Sequence, residues 1–198
     1  MESYRYEHLL IFCPIVVAAW LIVINFLPAM LMSVFKKAIL VKGFGEGPVP
    51  VNTLYTQSAS QFADPLHSAG SRLTVTGVNR DTLITMGWLD LSAGPLIMHV
   101  PDMNERYYSV QFTNPRKNAV FAYVGKRTTG TAAGDFLVCG PGWKGEAPQG
   151  VSRIASPNNS ALVIARVLVG SEDDIPEAYN LSKQIQLTPP ALLQFHSN

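Results

Sequence analysis

Five charged side chains interrupt or border apolar runs in this sequence: Arg80, Asp81, Asp90, Arg106 and Arg127. Arginine and aspartate are rarely fully buried unless paired, so each calls for a partner or a ligand. One reading is a network of ion pairs and turns. In it Asp81 caps a turn, and Arg80 or Arg106 grips a carboxylate through both arms of its guanidinium. A second reading is the floor of a polar pocket beside Trp88, Tyr107, Tyr108 and Gln111, suited to a small anionic or sugar-like ligand. Paired acid–base carboxylates, for instance Asp81 with Asp90, are a third, but sequence does not give their separation.

Other chemistries find little support. His8, His67, His99 and His196 show no His-x-His or His-x-x-x-His spacing, so no local metal motif exists. Cys139 follows an apolar strand and reads as a buried small hydrophobe, while Cys13 lies inside the N-terminal apolar run. Neither a Gly-x-Ser-x-Gly elbow nor a Walker loop is present. Gly43, Gly45 and Gly47 precede two prolines rather than a helix, so they are not a dinucleotide fingerprint. Trp88 and Trp143 are more often core or turn aromatics than stacking platforms. No catalytic residue, metal or cofactor is expected.

The elements that must position these side chains emerge from composition and pattern. The 198 residues are 47% hydrophobic and 15% charged, too apolar for a disordered chain. That length suits one domain plus a small excess. A net charge of +1 gives no reason to expect nucleic-acid binding. The 27 residues from Leu9 to Phe35 carry no charge, more than the about 20 needed to cross a bilayer. This run is too long for a cleaved signal peptide, and no Ala-x-Ala comes after it. Pro28 is expected to end or kink the span, leaving Leu9–Leu27 as the crossing helix. Lys36, Lys37 and Lys42 would then sit in the headgroup zone and, counted alone, place the C-terminal domain in the cytoplasm. Residues 43–52 read as a Gly/Pro linker between this anchor (1–42) and a domain over 53–198.

Residues 54–62 could form a short helix. From Arg72 onward, runs rich in β-branched and aromatic residues alternate with Gly, Pro and Asn. The predicted strands are Arg72–Val78, Thr82–Leu91, Leu96–Val100, Tyr107–Thr113, Val120–Val124, Asp135–Cys139, Val151–Ile154 and Ala161–Val169. Their spacing predicts an all-β, antiparallel, jelly-roll-like sandwich, since no gap holds a crossover helix. Tyr108, Val110 and Phe112 share one face, with Tyr107, Ser109 and Gln111 on the other. Ala161–Val169 is apolar on both faces apart from Arg166, as expected of a strand covered on both sides. Asp174 as N-cap, Pro176 and Glu177 predict a helix from Ile175 to Gln186, stopped by Pro189 and Pro190.

The stretch from Gly77 to Gly145 resembles a bacterial family, domain of unknown function number 1254. The elements that carry the resemblance are Asn79-Arg80-Asp81-Thr82, Gly87-Trp88-Leu89-Asp90-Leu91, Gly94-Pro95, Arg106-Tyr107-Tyr108-Ser109 with Gln111, Gly125-x-Arg127-Thr128-Thr129-Gly130, and Gly140-Pro141-Gly142-Trp143 with Gly145. Weaker flanks extend it over residues 50–186. Two features depart from the family pattern: Asn114-Pro115-Arg116, where relatives carry an acidic and aromatic stretch, and Cys139. The resemblance implies a jelly-roll-like domain in an exported, cell-envelope protein, and it brings no catalytic residue. Many relatives continue into a second β domain, family number 1214, which is missing here and could be a separate chain. Against the lysine count, the resemblance favours a single-pass protein of the bacterial inner membrane with a periplasmic domain. The expected role is a non-catalytic subunit, held in the lipid bilayer, whose sandwich binds another membrane or envelope protein. The alternative is a ligand-binding module or enzyme with a polar pocket near Arg80, Asp81 and Tyr107.

Overall fold

A computed structural model describes residues 3–43, 47–63, 79, 81–117 and 119–189, with side chains from residue 12 onward. The predicted strand Arg72–Val78, Arg80 and the tail after residue 189 lie outside the described residues.

The chain begins with one helix, α1 (Ser3–Lys42), 40 residues long and running through both Pro14 and Pro28. It is long and apolar enough to cross a membrane. The expected end of the span at Pro28 is therefore corrected, since the helix continues to Lys42. A proline removes one hydrogen bond and crowds the preceding turn, but here the turns beyond it are held from outside. Ile39 is buried with Val49, Trp88 and Leu162, and Met32, Leu40, Tyr55, Met86 and Ile164 pack around them. Gly43 ends the helix at φ 64°, its N–H bonding the Ile39 carbonyl at 3.0 Å. A Cβ there would lie 1.6 Å from the Gly47 carbonyl oxygen, so only glycine allows the chain to double back. The described part of the expected linker is thus folded onto α1, with the Val49 N–H 3.2 Å from the Ile39 carbonyl.

The domain is built from two sheets with a short C-terminal helix. Its strands are β1 (Tyr55–Thr56), β2 (Thr82–Asp90), β3 (Leu96–Val100), β4 (Tyr108–Asn114), β5 (Ala119–Gly125), β6 (Gly134–Cys139), β7 (Ser152–Ala155), β8 (Ser160–Leu168) and β9 (Gln186–Thr188). One sheet runs β1-β2-β8-β4-β5 and the other β7-β6-β3-β9. Their facing sides share a core that includes Leu83, Leu89, Val110, Phe112 and Val163 from the first sheet, and Met98, Val100, Phe136 and Val138 from the second. Tyr108, Val110 and Phe112 point into it, as their alternation requires. The second apolar face of β8 is explained by α1, which covers Leu162 and Ile164.

Four local expectations need correction. Among the described residues all strand pairs but one are antiparallel; β7 lies parallel to β6. A parallel pair needs a crossover of about a dozen residues, and the irregular stretch between Cys139 and Ser152 provides it without a helix. The region of residues 54–62 divides into β1 and a helix, α2 (Ala59–Ala63). The last helix, α3 (Ile175–Gln184), stops short of Gln186, because residues 186–188 leave it to pair with β3. Asp174 does not cap it through its side chain. The carboxylate turns instead to Arg106, whose Nη1 and Nη2 donate to its two oxygens at 2.5 and 2.7 Å.

Asp81 is exposed, and no described residue bonds its side chain. Asn79 takes the capping role expected of Asp81: its Oδ1 accepts from the Thr82 N–H at 3.2 Å and the Thr82 hydroxyl at 3.0 Å. We therefore expect Asp81→Ala to change unfolding free energy by less than about 0.5 kcal/mol, as at ordinary surface sites, while Asn79→Ala costs about 1 kcal/mol. Denaturant titration of the two variants checks this. Equal losses would return the capping role to Asp81.

Candidate functional site

The residues expected in one pocket separate into several places. Trp88 is 1% exposed and lies under α1, donating its Nε1–H to Ser160 Oγ at 2.7 Å. Lys36 Nζ stands 5.1 Å from the centre of the Trp88 ring and 3.5 Å from Ser160 Oγ. Lys36 is thus a cation–π clamp between helix and sheet, whereas Lys37 and Lys42 are exposed at the end of α1. Asp90 closes the β2–β3 turn: its Oδ1 accepts from the Ser92 hydroxyl at 2.6 Å and the Ser92 N–H at 3.0 Å. These bonds, helped by Lys36, hold its carboxyl below the usual range.

Arg106 joins the β4 entrance to the start of α3. Besides gripping Asp174 it donates to the Leu168 carbonyl at 2.8 Å and lies 3.5 Å from Glu177. The bond to Asp174 is the main reason its own pKa is raised. The expectation of an arginine held bidentate by a carboxylate is met here, with a partner 68 residues downstream. Neither Asp81 nor Asp90 faces the other as an acid–base pair: the first is exposed beyond β2, and the second lies in the turn at the strand's far end.

Tyr107, Gln111 and Arg127 do converge. They line a cleft of about 360 Å³ on the outer face of the five-stranded sheet, together with Ser109, Tyr123 and Arg166. The register explains the meeting. Gln111 stands opposite Tyr123 on β5 and Ile164 on β8, and Ser109 stands opposite Arg166. Gln111 is fixed at both ends, donating from Nε2 to Thr113 Oγ1 at 3.0 Å and accepting the Tyr123 hydroxyl at 3.3 Å. Arg127 stacks its guanidinium 5.7 Å from the Tyr107 ring centre. It rides on a tight turn in which the N–H groups of Thr128 and Thr129 both reach the Gly125 carbonyl at 2.9 Å. A Cβ on Gly125 would come within 2.6 Å of the Tyr108 carbonyl oxygen, so this turn packs against β4 only through a glycine. Tyr108 borders the cleft, but its side chain is buried in the sandwich core, where its hydroxyl meets Thr129 Oγ1 at 3.4 Å. Arg166 and Tyr123 were missed as site residues. The only sequence signal was Arg166 as the lone charge in β8, and strand order was needed to place it beside Gln111.

Among the described residues no cluster of three or more potential metal ligands occurs. Cys139 is buried, with Arg153 Nε 3.3 Å from its sulfur. His99 pairs with Asp135 across two strands at 2.8 Å on an exposed face.

The fold is similar to that of the VPA0106 protein from Vibrio parahaemolyticus, known from a crystal structure, with a TM-score of 0.63 and 24% identity over 85% of this chain. The match takes up 37% of that protein, so the chain spans little more than a third of its length. An uncharacterized protein from Burkholderia cenocepacia matches with a TM-score of 0.38 and 14% identity, over 60% of this chain and 31% of that one. No curated protein matches. Residues 53–189, most of the chain, match the family described as protein of unknown function DUF1254, and the chain belongs to that family.

Proposed function

We propose that this chain is a membrane-anchored, non-catalytic protein of the bacterial cell envelope whose jelly-roll-like sandwich binds another protein along the β5 edge. The anchor is the exposed part of α1. Residues 12–31 are uncharged and exposed, and at about 1.5 Å per residue they span the about 30 Å of a bilayer core. The remaining turns dock on the sheet, and in this reading the domain lies against the membrane on the periplasmic side, which the family resemblance favours over the lysine count.

The observation that carries the binding role is the edge strand itself. β5 is Ala-Val-Phe-Ala-Tyr-Val-Gly, without a charge, and among the described residues it pairs only with β4. Val120 is 40% exposed and Tyr123 51%. Such an edge is a template for an added strand. Basic pairs bracket it, Arg116-Lys117 before and Lys126-Arg127 after. Two copies of β5 laid edge to edge, parallel or antiparallel, would bring basic pairs together at both ends. The occupant that fits is an extended segment of a different chain with acidic residues flanking an apolar centre. A separately encoded second β domain is the leading partner.

A photo-crosslinking residue at Val120, in the full chain in its native membrane, tests this. We expect one discrete adduct from Val120, and none from the same residue placed at Ser152 on the β7 edge. An adduct of twice the chain mass, or equal adducts from both edges, would count against the proposal.

A further inference from the structure

We propose that the cleft formed by Tyr107, Gln111, Tyr123, Arg127 and Arg166 is a binding site for a small hydroxylated anion, a sugar acid or sugar phosphate. This goes beyond the edge-strand partner: it shares Tyr123 and Arg127 with that reading and rests in addition on Arg166, Gln111 and the cleft itself. Arg166 is partly buried on β8, yet its guanidinium has no hydrogen bond or carboxylate partner among the described residues. An arginine in that position keeps five donors to satisfy, and elsewhere in this domain the comparable Arg106 spends three of its own on Asp174 and Leu168. A second guanidinium, Arg127, borders the same cleft, also without a carboxylate partner among the described residues. Two guanidiniums without a counter-charge on one concave surface suit an oxyanion, which each can hold through paired N–H donors.

The rest of the lining selects the body of the ligand. Gln111, already oriented by Tyr123 and Thr113, retains one amide N–H; the Ser109 hydroxyl adds a donor and an acceptor, and the Thr128 hydroxyl, which donates to the Gly125 carbonyl at 3.2 Å, adds an acceptor. The Tyr107 and Tyr123 rings supply apolar surface of the kind that packs on the C–H faces of a sugar ring. A volume of about 360 Å³ lies at the small end of ligand sites, which favours a monosaccharide-sized molecule over a chain. Carboxylate and phosphate share the recognising chemistry, so both forms are probed.

The test titrates the full chain in detergent micelles with D-glucuronate, D-glucose 6-phosphate and D-glucose at low ionic strength, monitored by calorimetry. At least one of the two anions is expected to bind saturably, and glucose at least tenfold more weakly. Arg166→Gln and Arg127→Gln should each weaken anion binding about tenfold or more, the usual cost of losing a charged hydrogen-bonding partner. Unfolding temperatures of the variants report on folding. If Arg166→Gln fails to fold, Arg127→Gln, an exposed turn position, decides. Absence of saturable binding by either anion would overturn the proposal. So would glucose binding as tightly as the anions, or native affinity in correctly folded variants. Val120 plays no part in these measurements, so failure here leaves the β5 proposal standing, and the converse holds.

Discussion

A fragment beginning at Gly43 is expected to unfold about 10 °C or more below one beginning at Met32, and to associate in solution where the longer fragment does not. From the sequence alone the cut at Gly43 is the natural one, since it removes the whole apolar segment and starts in a Gly/Pro stretch. The structure moves the boundary. Ile39 is 1% exposed and Trp88 likewise, and each buries the other's neighbours at the junction of α1 and the outer sheet face. Removing the last turns of α1 uncovers Trp88, Leu162 and Val49 and leaves Met86 and Ile164 without a cover. Each large apolar side chain returned to water costs about 1.5–3 kcal/mol, and lost cavity contacts add to that. A total of about 4–5 kcal/mol corresponds to about 10–15 °C in a domain of this size. The exposed stripe is also contiguous, the condition under which soluble domains self-associate. Thermal unfolding and sedimentation of the two fragments decide the matter. Equal melting temperatures and monomeric behaviour for both would show that α1 adds nothing to the domain. Within the longer fragment, Lys36→Ala should cost about 1 kcal/mol through the Trp88 ring.

Asp174→Ala is expected to destabilise the domain by about 2–3 kcal/mol. Its carboxylate holds both arms of Arg106 in a bidentate grip, and it also accepts the Gly170 N–H at 2.7 Å. The two side chains are 14% and 18% exposed, between the regimes of surface pairs, worth about 0–1 kcal/mol, and fully buried ones, where removing one partner costs about 3–5. Arg106→Ala should cost as much, and the double variant less than the sum, because neither charge is then left alone. The pH dependence comes from the same contact. The Arg106 bond above all, despite some opposing burial, holds the Asp174 carboxyl below its ordinary range. The folded state therefore binds that proton more weakly than the unfolded chain. The pair's stabilisation is complete above about pH 4, the ordinary aspartate value, and is lost as pH falls through the lower folded value. Asp174→Asn should accordingly start less stable at neutral pH and lose less as the pH falls below about 4 than the native protein. Parallel acid titrations of both proteins would contradict this account.

The features legible in the sequence were those set by local physics. The uncharged run Leu9–Phe35 needs no tertiary information to be recognised as long enough for a bilayer. Alternation in Tyr107–Thr113 put Tyr108, Val110 and Phe112 in the core because a pleated strand turns successive side chains to opposite faces. Burial of Cys139 and the need of Arg106 for a carboxylate were equally legible, since desolvating either an unpaired charge or a hydrophobe has one sign in any fold.

Partner identity was a different matter. That Arg106 finds Asp174 rather than a nearby aspartate depends on how α3 docks, and that Gln111 meets Tyr123 and shares a cleft with Arg166 depends on the order β8-β4-β5. Pairing of β7 parallel to β6 and the late strand β9 are likewise non-local, the latter only 3 residues long. Trp88 shows the division most clearly. Its apolar surroundings marked it as buried, but whether a ligand, the sandwich core or another element covers it is written in no local pattern. The cover is α1, a segment whose own composition speaks only of lipid. A hydrophobic side chain specifies that it must leave water, and the sequence by itself determined that much about the anchor, the strands and the core. Which surface receives it is a property of the packed chain, because the same apolar contact is available from many partners and only the closed fold brings one of them within reach.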